Sequence, residues 1–317
     1  MADKILVTLS TFAEYDAAPL HLIEASGVPF SVHKSGKRIT TAELVDQGRD
    51  ATVVIAGVEP YDARTIEQLP ALRCISRCGA GVDAVDLAAA RARGVTVLNT
   101  PDVPTEAVAE LAVTMLLAIA RNLSRQTGLM RRREWGRIEA HLLQGRRVGL
   151  IGLGRIGRRV VELLAPFRPV MLAADPLADR AWAEAHGVML VSLDELLATS
   201  DLVSIHAARR SEAPLRIGAA EIARMKNGAG LVNLARGGMV DEDALHDALA
   251  SGHLAGAGLD VYGEEPYRGR LCDLDTALLT PHNATLTVET RVAMETEAVD
   301  KALRFLRGAL RPGEAIV

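Results

Sequence analysis

Short apolar runs and amphipathic stretches alternate from one end of this chain to the other. Residues 5–9, 52–56, 73–76 and 95–99 are apolar and rich in Val, Ile and Leu, and read as buried strands. Between the last two, residues 87–93 read as a helix closed by Gly94. Pro101 and Pro104 punctuate the chain, and Thr105 is placed to cap a long apolar helix running to about Arg121. The alternation then resumes, with strands expected over 148–151, 170–175, 202–205, 230–234, 255–261 and 277–280. Helices are expected over 193–198, 219–225 and 241–251, and a last one over 288–307 lies beyond the final strand. Continuous apolar strands separated by helices predict parallel sheets covered on both faces. The fold class is therefore α/β, with two doubly wound domains. The second, 102–286, is inserted into the first, 1–101 with 287–317.

At the centre, Val148-Gly-Leu-Ile-Gly152-Leu-Gly154-Arg-Ile-Gly157 runs from an apolar strand through a G-x-G-x-x-G turn, and an amphipathic helix follows over 158–164. Gly152 permits the tight turn, Gly154 lets backbone approach a pyrophosphate, and Gly157 lets the helix pack on the strand. The helix N-terminus offers N–H groups and a positive dipole end to phosphate. The next strand ends in Asp175, at the separation expected of an acid that binds a ribose hydroxyl. Strand, glycine turn, helix and acid together point to a dinucleotide.

Composition narrows the class without changing it. The 317 residues carry a net charge of −4, so no basic footprint for nucleic acid exists, and Arg131-Arg132-Arg133 reads as a solvated face or an interface. Cys74, Cys78 and Cys272 are odd in number and lack C-x-x-C spacing, which fits reduced thiols and a cytoplasmic setting better than a disulfide framework or zinc site. No signal-like segment opens the chain, and the apolar run over 111–120 is too short to span a bilayer. Histidines 21, 33, 141, 186, 246 and 253 show no metal-ligand pattern, so no metal is expected.

Three polar residues lie just beyond apolar strands, where open α/β sheets place ligands: Arg236, Glu265 and His282. An arginine fork suits a carboxylate, and a carboxylate beside an imidazole favours the charged, oriented ring of a proton donor. Ordinary surface roles would explain the same three residues from spacing alone.

The chain resembles the D-isomer-specific 2-hydroxyacid dehydrogenases from about Ala51 onward. The likeness is carried by Arg77-Cys-Gly79-Ala-Gly81-Val-Asp83, Val108-Ala-Glu110, Trp135, Ser200 to His206, Asn233 to Gly238, Asp260 to Pro266 and Thr280-Pro-His282. The resemblance implies a Rossmann NAD-binding domain inserted into a flavodoxin-like substrate domain. It implies that Arg236, Glu265 and His282 are catalytic, with Arg77, Ala80 and Gly81 holding substrate. Cofactor contacts are implied for Arg155, Ile156, Asp175, His206, Ala207, Leu234, Ala235 and Asp260, beside Gly152, Gly154 and Gly157. The implied activity is NAD-dependent interconversion of a small D-2-hydroxy acid and its 2-oxo acid, with closure of the two domains excluding water. The helix from Thr105 resembles the family's dimer-forming region, so a homodimer is expected, with no membrane or nucleic-acid partner. An alternative is an NAD(H)-sensing module like the family's corepressors. Two stretches depart from the family pattern: Ala207-Ala-Arg209-Arg210 after His206, where the arginines face an anionic ligand or solvent, and Asn283-Ala284-Thr285 after His282, which reshapes the nicotinamide pocket or is absorbed locally. Phosphoglycerate dehydrogenases of the family carry an arginine after the strand matching 52–55. Here Ala56-Gly57-Val58 stands there, so weak activity on a phosphorylated substrate is expected.

Overall fold

The computed structural model describes residues 3–208 and 215–317, in two compact units, 1–104 with 286–317 and 105–285. Arg209 and Arg210 fall outside the described residues.

In the first unit the chain alternates β1 (Ile5–Val7), α1 (Ala18–Ser26), β2 (Phe30–Val32), α2 (Thr41–Gln47), β3 (Val53–Ala56), α3 (Ala63–Glu67), β4 (Cys74–Arg77), α4 (Leu87–Ala92) and β5 (Thr96–Leu98). The strands form one parallel sheet in the order β2-β1-β3-β4-β5. Local chemistry starts the helices: Thr40 and Glu43 form a capping box on α2, while Asp62 and Asp86 accept the Thr65 and Ala89 backbone N–H groups at 2.7 and 2.9 Å. Gly94 takes φ +66° just past α4, as its position at a helix end requires. The final helix packs its buried Met294, Ala298, Val299, Ala302 and Leu303 with Ile5, Val7, Val53 and Ile55.

The second unit opens with α5 (Thr105–Ala120) and α6 (Leu123–Arg131). Thr105 is the first residue of α5 and not the residue before it. The sheet elements follow as β6 (Arg147–Ile151), α7 (Arg155–Leu164), β7 (Val170–Ala174), α8 (Arg180–Ala185), β8 (Met189–Leu190), α9 (Leu193–Thr199) and β9 (Leu202–Ile205). Beyond these come α10 (Ala219–Arg224), β10 (Ala229–Asn233), α11 (Glu242–Ala250), β11 (Leu254–Leu259) and β12 (Ala277–Leu279), before α12 (Val288–Leu306) completes the first unit. All seven strands are parallel in the order β12-β11-β10-β9-β6-β7-β8, a doubly wound sheet whose direction of growth reverses between β6 and β9.

Helix α5 lies against β9, β10 and β11 and against α7, and half of its residues are buried. The sheet admits it closely because Gly258 has no side chain: a Cβ there would stand 2.7 Å from the Met115 sulfur. No single helix among the described residues is long and apolar enough to cross a membrane. The bent pair α5 and α6, which meet at 66°, passes by length and composition, and the buried face of α5 is the core of this unit.

Candidate active site

The glycine turn divides its labour as its spacing predicts. Gly152 sits at φ +100°, and a Cβ there would press on the backbone of His206 and Ala207 beyond β9. A Cβ on Gly157 would stand 2.4 Å from the Gly152 carbonyl oxygen, so only glycine lets α7 close on the turn. Gly154 is different: nothing lies within 4 Å of where its Cβ would be. That open space, at the N-terminus of a helix with no side-chain cap, is where a pyrophosphate fits, against the backbone of Gly154, Arg155 and Ile156. Asp175 follows β7 and accepts the N–H groups of Leu153 and Leu177, each at 2.8 Å, so its carboxylate is tied to the glycine turn itself.

His206, just past β9, donates its backbone N–H to the Ile151 carbonyl at 2.8 Å, and its Nε2 pairs with the Ser204 hydroxyl at 2.9 Å. Burial lowers its pKa from 6.5 to about 4, so the ring is neutral at physiological pH. Ala207 follows it, beside Gly152.

The three polar candidates leave neighbouring strands of one sheet. After β10, Asn233 clamps a tight loop: its amide donates to the Arg236 carbonyl at 3.0 Å, and its Oδ1 accepts the Ala235 N–H at 3.1 Å. Leu234 is buried in the core at this point, and the Arg236 guanidinium donates to the Ala235 carbonyl at 2.8 Å. After β11, Glu265 accepts the Tyr262 N–H at 3.2 Å, and Gly263 donates to the Glu242 carboxylate at 2.7 Å. After β12, His282 lies with Nδ1 at 2.9 and 3.1 Å from the two oxygens of Glu265. A carboxylate only accepts, so Nδ1 carries the hydrogen and Nε2 is the ring nitrogen outside this pair. The imidazole is 56% exposed.

Asp260 is 1% exposed and turned toward the chain itself. Its Oδ1 accepts from the Thr280 hydroxyl at 2.6 Å and from Asn283 N at 2.7 Å, and its Oδ2 accepts from Ala284 N at 2.9 Å. It brackets the histidine on both sides. Tyr262, whose phenol is pushed above its ordinary range by burial and by the charge of Asp260, keeps its proton and donates to the Leu259 and Thr280 carbonyls. At the departure Asn283-Ala284-Thr285, the groups that Asp260 anchors at 283 and 284 are backbone N–H groups.

The other three expected residues belong to the first unit. Arg77 ends β4 and donates to the Cys78 carbonyl. Gly79, at φ +145°, donates its N–H to Thr100 Oγ1 at 2.8 Å, and the Asn99 amide donates to the Ala80 carbonyl at 2.7 Å, so the loop through Gly81 is held from below. Thr100, Asn99, Asn233, Glu242 and Tyr262 carry these loops although sequence reasoning gave them no role. Glu242 opens a helix, where an acid ordinarily signals only the helix dipole.

The family model described as D-isomer specific 2-hydroxyacid dehydrogenase, NAD binding domain, matches residues 113–284. A D-3-phosphoglycerate dehydrogenase of Methanocaldococcus jannaschii is 38% identical over 277 residues, covering 86% of this chain and 53% of the relative. The chain thus spans about half the length of the phosphoglycerate dehydrogenases it matches. A glyoxylate reductase of Korarchaeum cryptofilum is 34% identical over 279 residues, covering 85% of this chain and 84% of the relative. Among solved structures, a D-lactate dehydrogenase from Aquifex aeolicus complexed with NAD and lactic acid superposes with a TM-score of 0.86 at 26% identity, covering 99% of each chain.

The neutral His206 makes stability depend on pH. Its folded pKa lies below the unfolded value, so its contribution is complete above about pH 6.5 and is lost as pH falls toward 4, where the unfolded chain alone has taken up the proton. With the ring partly accessible, the expected loss by pH 4.5 is about 2 kcal/mol. Urea unfolding between pH 7 and 4.5 is expected to show this decline in the wild type and a flatter one in His206→Gln. Parallel curves would remove His206 as the cause.

Proposed function

The chain belongs to the D-isomer specific 2-hydroxyacid dehydrogenases, and on that footing we propose that it interconverts a small D-2-hydroxy acid and its 2-oxo acid with NAD(H). The observation that carries this reading is the Glu265–His282 pair, set beyond strand ends of the sheet that also bears the glycine turn. When bound at that turn, NAD(H) supplies or accepts the hydride at substrate C2. The chain's own residues do the remainder. Glu265 holds the Nδ1–H, and His282 Nε2 hands its proton to the carbonyl oxygen as that oxygen becomes an alkoxide. Arg236 offers a guanidinium to the carboxylate and polarises the carbonyl. Ala80 and Gly81 offer backbone N–H groups to the carboxylate, and Arg77 adds positive charge. In the oxidative direction the same histidine, deprotonated at Nε2, takes the hydroxyl proton.

We assign the second unit to the cofactor and the first to the substrate, and infer a homodimer in a reducing, cytoplasmic setting. Exposed apolar side chains, among them Leu123, Met130, Trp135 at 84% and Leu142 at 70%, cluster in the segment following α5 and favour a second copy as their cover. Light scattering is expected to give twice the chain mass. The pair Trp135→Glu with Leu142→Glu is expected to halve it, and an unchanged mass would remove this segment from the interface.

Cofactor choice follows from Asp175. Fixed by Leu153 and Leu177, its carboxylate suits ribose hydroxyls and repels a 2′-phosphate. NADH is expected to exceed NADPH by more than about tenfold in kcat/KM, about 1.4 kcal/mol. Equal values would defeat the assignment.

His282→Ala is expected to cost about 10²–10⁴-fold in kcat, the range for a lost general acid, with NADH affinity nearly unchanged. Glu265→Gln removes one of the two carboxylate acceptors that orient the Nδ1–H, so kcat is expected to fall with NADH affinity nearly unchanged. A wild-type kcat in Glu265→Gln would show that the pair does not act together, and a near-normal His282→Ala enzyme would remove the proton donor.

A further inference from the structure

The first unit buries an acid that none of these steps uses. Glu59, in the loop after β3, is 2% exposed. Its Oε1 accepts the Gly57 N–H at 3.0 Å and the Tyr61 phenol at 2.8 Å, and the Thr8 hydroxyl is also within donating range of it. Burial, with the charge of Glu59, raises the Tyr61 phenol well above its ordinary range, so Tyr61 keeps its proton and remains a donor. Donors converging on one oxygen hold the carboxyl group in place inside the protein.

The position matters as much as the burial. The order β2-β1-β3-β4-β5 changes direction between β1 and β3, and Thr8 follows β1 while Glu59 follows β3. Open parallel sheets take ligands outside the carboxyl ends of their strands at such a reversal. Cations also stand on this edge, among them the exposed Lys34 beyond β2. Arg38 donates to the Val58 carbonyl from an exposed side chain, where salt and water screen it. Arg77 stands at the end of β4. The acid is the buried charge of this loop, and a buried charge is screened least.

We propose, resting on the reading that this edge takes the substrate, that Glu59 selects against a second negative charge on it. The preferred substrate is then a 2-oxo acid with a small uncharged tail, and a phosphorylated tail is rejected by charge and not by lack of room. The test compares kcat/KM with NADH for hydroxypyruvate and 3-phosphohydroxypyruvate. The wild type prefers the unphosphorylated acid. Glu59→Gln raises the phosphorylated-to-unphosphorylated ratio roughly tenfold, as expected for removing one partly screened charge that opposes a dianion. Tyr61→Phe, which deletes a donor and keeps the charge, leaves the ratio unraised, although a merely structural role would move both variants alike. If Glu59→Gln does not fold, Val58→Arg places a cation on the same loop at a side chain that is 51% exposed, and it must raise the ratio with Glu59 intact. An unmoved ratio in folded Glu59→Gln or in Val58→Arg overturns the selection, as does a wild type that prefers the phosphorylated acid. Absence of turnover of either oxo acid by the wild type overturns the dehydrogenase reading and the selection with it, whereas turnover with an unmoved ratio overturns the selection alone.

Discussion

The buried carboxylate of Asp260 is the constraint on which the edge of the second unit that bears Arg236, Glu265 and His282 depends. His282 sits at φ +55°, a conformation that costs a non-glycine residue about 1 kcal/mol or more. The bond from Nδ1 to Glu265 offsets part of that strain, and Asp260 offsets the rest through hydrogen bonds from Thr280, Asn283 and Ala284, each worth about 1.5–3 kcal/mol when the acceptor is charged. The gain exceeds the strain. Removing the carboxylate would release both flanks of the histidine and deprive three donors of their acceptor.

Parallel pairing explains why the polar residues that meet lie so far apart in sequence. Strands β10, β11 and β12 are adjacent, and neighbouring strands stand about 4.8 Å apart. Loops leaving the same end of such strands converge whatever the length of chain between them. Asp260 also donates its own N–H to the Asn233 carbonyl at 3.1 Å, which couples the loop bearing Arg236 to the one bearing Glu265. The edge is therefore a hydrogen-bonded unit running across three strands, and the glycine turn opens from the same end of the sheet.

Much of this was legible in the chain. Apolar runs marked β1, β3, β4 and β5 and the longer strands of the second unit within a residue or two at each end, because parallel strands buried on both faces have no polar alternation to obscure them. The short edge strands β2 and β8, only partly buried, gave no such run and were missed. The helices α1, α2, α3, α6 and α8 were missed as well; several are only five to seven residues long and depend on tertiary packing. In the site, the glycine turn and Asp175 followed from spacing alone. The trio was visible as polar residues past strand ends, and the pairing of Glu265 with His282 was expected from their chemistry, whereas the contact of Nδ1 with both carboxylate oxygens was not. The clamps on these loops were the least legible. Asn233 and Glu242 work through the backbone groups they bind, and a backbone donor leaves no mark in the sequence.

That last point bears on the stretch after His282, where the chain departs from the family pattern. What Asp260 grips at positions 283 and 284 is peptide N–H, which every residue but proline supplies. The Ala284 side chain is small and turns into the core formed with α5 and α7, so it fills space that a glycine would leave. At position 280 the demand is different: the contact comes from a hydroxyl, and valine, though of equal volume, would leave Asp260 Oδ1 one donor short inside the protein. The loop is thus permissive where the backbone holds it and strict where a side chain does. A sequence comparison that weighs all positions of the motif equally would misjudge both.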